Sequence, residues 1–278
     1  MSTILSNRVQ KVKPSATMAV SDKAKELKSQ GIQIISMGSG EPDFDTPTNI
    51  QKAAIHAIGA GETRYTPADG TAELKKAVCE KFKRENGLDY STNEVMVSCG
   101  GKQVFYNLCQ AILNEGDEVI IPSPYWVSYP DMAILADATP VFIDAGLDQD
   151  FKISPEQLEA SITSKSKLLV LNSPSNPTGS VYSRSEIEAL GVVLERHPNV
   201  FIISDDIYEH IRWGDDEFVN IAMACPNLKD RTVILNGVSK AYAMTGWRIG
   251  YAAGPGAVIK AMKKIQGQST SNPSSISQ

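Results

Sequence analysis

Three short runs constrain this chain most: Val119-Ile120-Ile121, Leu168 to Leu171 and Phe201-Ile202-Ile203 are apolar at every position. A strand with one wet face alternates apolar and polar residues, so a run without alternation belongs to a strand covered on both faces. Such strands build mainly parallel sheets sandwiched between helices, an α/β fold of three layers, α/β/α. The remaining pattern agrees. Strands are expected at 94–98, 118–122, 139–144, 167–171, 200–204, 232–235 and 248–253, which makes a sheet of about seven strands. A further short apolar strand is expected at 32–37. Helices are expected at 21–30, 48–60, 74–85, 103–113, 130–136 and 185–195, set off by cap and breaker signals such as Ser21-Asp22 and Gly61. Residues 1–20 read as an arm.

Composition excludes several classes of function. A net charge of −5 argues against nucleic acid or an anionic membrane as the main partner. Cys79, Cys99, Cys109 and Cys225 have no CxxC pairing, and His56, His197 and His210 are scattered, so no metal site is expected. The N-terminus has no apolar signal region and no stretch approaches a membrane span, which fits a cytoplasmic protein. GxGxxG and GxxxxGK[ST] are both absent, which disfavours a dinucleotide-binding dehydrogenase or a P-loop enzyme.

Polar residues gather where the buried strands end, and in parallel sheets the C-terminal strand ends are where ligands bind. After 94–98 comes S-C-G-G-K-Q, two glycines before a helix N-terminus, an anion site by geometry, though such a turn is more often only structural. After 118–122 comes S-P-Y-W-V-S-Y, where an aromatic could stack on a planar ligand or simply cap the sheet. N-S-P-S-N-P-T-G follows 167–171 and presents the Asn176 amide from a rigid loop. S-D-D-I-Y-E-H follows 200–204. A carboxylate at that edge of a low-dielectric interior needs a cation, and no neighbour in sequence offers one. Lastly, V-I-L-N-G-V-S-K-A-Y-A-M-T-G-W-R-I-G carries Lys240 and Arg248. Spacing alone suits a surface lysine and an unrelated arginine. In company, a desolvated amine, a carboxylate seeking a cation, an aromatic plane, a fixed amide and two anion sites suit pyridoxal phosphate.

The motifs G-E-P-D-F-D-T-P, Y-T-P-A-D-G, N-P-T-G, S-D-D-I-Y and S-K-A-Y-A-M-T-G-W-R-I-G occur in the order found in class I aminotransferases of the fold-type I pyridoxal-phosphate family. The chain resembles the bacterial aspartate aminotransferases among them. The resemblance implies a pyridoxal 5′-phosphate enzyme that moves an amino group between aspartate or glutamate and a 2-oxo acid by a ping-pong Schiff-base mechanism, with prephenate as a further oxo partner. It implies that Lys240 forms the Schiff base and shuttles the proton, that Asp205 pairs with the ring nitrogen, and that Tyr208 and Asn176 bond the ring hydroxyl. Trp126 would stack on the ring. Arg248 and the turn at Gly101, Lys102 and Gln103 would take the phosphate, and Tyr65 would reach the phosphate of a second subunit in a homodimer. Gly40, Trp126 and Asn176 would lie by the substrate, with Lys102 and Ser15 toward a distal carboxylate.

Two departures from the family pattern stand out. Asp206 replaces a frequent glutamate, leaving Asp205 in place. No arginine follows Arg248, where the family has one that clamps the α-carboxylate. The expectation is therefore a C-terminally truncated chain, with an arm and part of the small domain over 1–45, a cofactor-binding large domain over 46–278, and an incomplete small domain. Two other readings compete with transamination: a pyridoxal-phosphate C–S or β-lyase, and a truncated cofactor binder with little catalysis.

Overall fold

The computed structural model describes residues 4–14, 16–38, 40–214 and 217–278. Seven strands form one sheet: β1 (Val95–Ser98), β2 (Glu118–Ser123), β3 (Thr139–Asp144), β4 (Ser166–Asn172), β5 (Phe201–Asp205), β6 (Thr232–Gly237) and β7 (Gly250–Ala253), in the order β1-β7-β6-β5-β4-β2-β3. Only β7 runs against its neighbours. The other six strands therefore end at one edge, and β7 begins there.

The non-alternating runs are explained by where their side chains go. Val119 and Ile121 join one core while Ile120 joins another on the opposite face. Leu168 and Val170 divide from Leu169 and Leu171 in the same way, as does Ile203 from Ile202. Each such side chain contributes about 1.5–3 kcal/mol by leaving water. Helices Gly101–Ile112, Ser128–Leu135 and Gly256–Gly267 cover the first face through Phe105, Leu108, Met132 and Met262. Pro155–Ser161 and Arg184–Arg196 cover the second through Leu158, Ile187 and Leu190. Both begin in capping boxes, Ser154 with Gln157 and Ser183 with Glu186, which satisfy otherwise orphaned N–H groups.

Residues 32–37 form no strand, contrary to the sequence expectation: they pair with no neighbour, and Ile35 and Met37 are 92% and 91% exposed. A short apolar run becomes a strand only where a sheet edge can receive it. The sequence reading also passed over the helices Asn7–Lys11, Pro155–Ser161, Ile221–Ala224 and Gly256–Gly267. Among the described residues, no helix is long and apolar enough to cross a membrane.

Candidate active site

Strand register collects the polar residues at one edge. Asn172 ends β4 directly beside Asp205, which ends β5. Asn172 ties its surroundings together: its Nδ2 donates to the Asp205 carbonyl at 2.9 Å, and its Oδ1 accepts from the Asn176 N–H at 2.8 Å. Asn176 Nδ2 in turn donates to the Tyr208 hydroxyl at 3.3 Å. The rigid loop and the turn after β5 are thus one hydrogen-bonded unit.

Asp205 is 4% exposed. It accepts from the Tyr129 hydroxyl at 2.6 Å and from the Ile207 N–H at 3.2 Å. Among the described residues, no lysine, arginine or histidine pairs with it. Burial pushes its carboxyl up to about 6, against the opposing pull of those two hydrogen bonds. The neighbouring Asp206 is also buried, and it is held by Ser204 and Asn220 at 2.7 and 2.6 Å. Burial raises the Tyr208 phenol too, with the charge of Asp205 adding to it.

Lys240 lies three residues past the end of β6. Its Nζ donates to the Gly40 carbonyl and sits 5.9 Å from the centre of the Tyr208 ring. A Cβ built on Gly40 would lie 3.9 Å from both Lys240 Nζ and the Tyr208 hydroxyl, so all three converge. Burial holds the Lys240 ammonium below its ordinary value; Glu41 opposes this and Arg248 adds to it.

The second half of the site is built on glycine. Gly100 has φ +91, and a Cβ there would lie 2.3 Å from Arg248 Nη2. A Cβ on Gly250 would lie 2.4 Å from the Gly100 carbonyl carbon and the Gly101 nitrogen. Only bare backbone lets the turn lie on the sheet with the guanidinium against it. Arg248 is itself fixed by donation to the Thr245 carbonyl at 2.7 Å. The helix Gly101–Ile112 has no side-chain N-cap, so its first N–H groups face the same corner as the guanidinium. Lys102 Nζ lies 5.0 Å over the Trp126 ring, its ammonium disfavoured by burial and by Arg248. Trp126 packs edge-on against Tyr129 at 5.2 Å.

Lys240, Tyr208, Asn176, Asp205 and Gly40 therefore meet, and Arg248, Gly101, Lys102 and Trp126 border them. Gln103 turns away to Asn107, at 2.9 Å. Tyr65 is 94% exposed and makes no contact with this group. Ser15 lies outside the described residues. Sequence reading missed Tyr129 and Asn172. Both stood inside the motifs singled out, but only the register of β4 and β5 and the fold of the Ser128–Leu135 helix bring them to Asp205.

Comparison with known proteins gives a consistent result. The aspartate/prephenate aminotransferase of Nitrosomonas europaea is 61% identical over 274 residues, covering 99% of this chain and 69% of that protein. Its counterpart in Cereibacter sphaeroides is 60% identical, covering 99% of this chain and 68% of its own length. Among solved structures, the aspartate aminotransferase of Rhizobium meliloti superposes with a TM-score of 0.96 at 49% identity, covering 99% of this chain and 69% of that one. That of Thermus thermophilus with maleate gives 0.95 at 47%, covering 99% and 71%. The family model for aminotransferases of class I and II matches residues 32–278, and the chain belongs to that family.

Proposed function

We propose that this aminotransferase uses pyridoxal 5′-phosphate to move an amino group between aspartate or glutamate and a 2-oxo acid, prephenate included. The observation that carries the reading is Asp205: a buried carboxylate with no cationic partner among the described residues, at the same strand-end edge as a half-buried lysine. A protonated ring nitrogen is the cation such a carboxylate lacks. The residues present fit the rest of the cofactor as well. Gly100 and Gly250 leave the space that Arg248 and the helix N-terminus need to receive a phosphate.

When bound, pyridoxal phosphate supplies an aldehyde that condenses with amines and a ring that takes up the electron pair left when a Cα–H bond breaks. The chain supplies the rest. Lys240, its charge disfavoured by burial, is the group that takes a proton at Nζ and returns it. Asp205 keeps the ring nitrogen protonated, and Tyr129 holds that carboxylate in place. Tyr208 and Asn176 offer hydrogen bonds to the ring oxygen, and Trp126 covers a ring face. Arg248 with the N–H groups of Gly101 and Lys102 would hold the phosphate; the Gln103 N–H is spent on the Gly100 carbonyl. Gly40 leaves room for the substrate beside Lys240. Lys102, above Trp126, supplies the side toward a distal carboxylate. An acidic substrate is supported by the similarity to aspartate/prephenate aminotransferases and by the dicarboxylate maleate in the Thermus structure.

A homodimer belongs to the same reading. Exposed Tyr65, together with the helix Thr48–Gly59, which has no buried residue and carries exposed Ile55 and Ile58, supports a homodimer with shared sites. The test of function is a product assay with aspartate and 2-oxoglutarate. Glutamate and oxaloacetate should form in equal amounts, with parallel double-reciprocal plots. No glutamate from aspartate, with ammonia and pyruvate released instead from an S-alkylcysteine, would establish a C–S lyase and overturn the reading.

A further inference from the structure

Gln266 lies in the helix Gly256–Gly267, outside every motif described above, and is 0% exposed. A carboxamide offers two donor and two acceptor positions, and each is costly to leave unpaired when buried. All four are used. Oε1 accepts from Ser98 Oγ at 2.6 Å and from Asn107 Nδ2 at 2.9 Å. Nε2 donates to the Ala68 carbonyl and, at 2.8 Å, to the Val97 carbonyl. Asn107 Oδ1 is occupied in turn by Gln103 Nε2 at 2.9 Å.

These bonds bracket the glycine turn. Val97 and Ser98 close β1, and Cys99-Gly100 makes the turn. Gln103 and Asn107 stand on the helix that follows. One side chain thus sets the angle between the end of the strand and the start of the helix. That angle sets where the N–H groups of Gly101 and Lys102 point, while the Gln103 N–H closes the turn on the Gly100 carbonyl at 3.1 Å. We propose that Gln266 is a positioning residue for the phosphate cradle, holding it in shape without touching the ligand. The proposal rests on the pyridoxal-phosphate reading given above.

The experiment measures how tightly the cofactor-free protein binds pyridoxal phosphate and 5′-deoxypyridoxal, which has the same aldehyde and ring but no phosphate. Tryptophan fluorescence reports binding, and the ratio of the two dissociation constants is the readout. Gln266→Met keeps the length and removes all four bonds. It should weaken pyridoxal phosphate at least about tenfold, the weight of one good hydrogen bond to a charged group, and leave 5′-deoxypyridoxal within about twofold. Leu158→Ala, a core change on the other face of the sheet, should lower the melting temperature and leave the ratio untouched. If Gln266→Met does not fold, Ser98→Ala removes a single bond and should shift the ratio in the same direction, about threefold. A variant that weakens both ligands equally, or neither, overturns the proposal. A wild-type protein that binds both ligands equally would mean there is no phosphate cradle, and the cofactor reading fails first.

Discussion

Replacing Asp205 with asparagine should strengthen the cofactor-free fold at neutral pH and abolish activity. The carboxylate is buried, and its pKa stands at about 6 against an ordinary 3.8 because burial outweighs the bonds from Tyr129 and Ile207. Between those values the folded chain holds a proton that the unfolded chain has released. The stabilisation is therefore fully present below about pH 4 and is lost as pH rises through 6. A gap of about 2.2 units (6 − 3.8), at about 1.4 kcal/mol per unit, is a loss on the order of 3 kcal/mol. Asparagine has no proton to lose. Its Oδ1 can take the Ile207 N–H, and the Tyr129 hydroxyl can turn to accept from Nδ2. Urea unfolding of the cofactor-free proteins from pH 4 to 8 tests this. Asp205→Asn should exceed wild type by about 2–3 kcal/mol at pH 7.5, with the difference closing toward pH 4. A variant less stable than wild type at pH 7.5, or offset equally at every pH, refutes the argument from a buried charge.

Two further perturbations follow from the same contacts. Gly100→Ala forces a Cβ at φ +91 into the Arg248 guanidinium, so it should cost more than about 1 kcal/mol in urea unfolding and weaken pyridoxal phosphate binding. An unchanged midpoint and affinity would show that the turn tolerates a side chain. Glu209→Ala strands buried Lys81, whose other carboxylate, Glu85, is 3.7 Å away and partly exposed. It should cost about 3–5 kcal/mol, and the pair Lys81→Met with Glu209→Leu should recover most of this. A double variant no better than the single one would mean packing, not the unpaired charge, sets the cost.

Much of the fold was legible because period and punctuation agreed: the apolar runs of β2, β4 and β5 declared both faces buried, and the structure puts these strands side by side, with the exposed strand Thr139–Asp144 beyond them at the sheet edge. Residues 32–37 carried a similar local signal without a strand partner, which sequence cannot display. Gly256–Gly267 was passed over although it is amphipathic and follows a proline, Pro255, at its N-cap. At the site, Lys240, Asp205, Tyr208, Asn176 and Arg248 stood out as polar residues in strand-end motifs, and the resemblance to the family gave them their expected roles. Their supports did not stand out. Tyr129, Asn172 and Gln266 act across separations of 76, 33 and 168 residues, through contacts that exist only after the sheet has formed.

The central claim is that Lys240 holds the cofactor and passes it a proton, and its most direct test is an absorption spectrum. Cofactor-free protein and Lys240→Ala are each mixed with pyridoxal phosphate, scanned, and scanned again after adding aspartate. The account predicts a long-wavelength band that requires Lys240 and gives way, on adding aspartate, to the shorter-wavelength band of pyridoxamine phosphate. An identical band in Lys240→Ala, or a Lys240-dependent band that ignores aspartate, would contradict it.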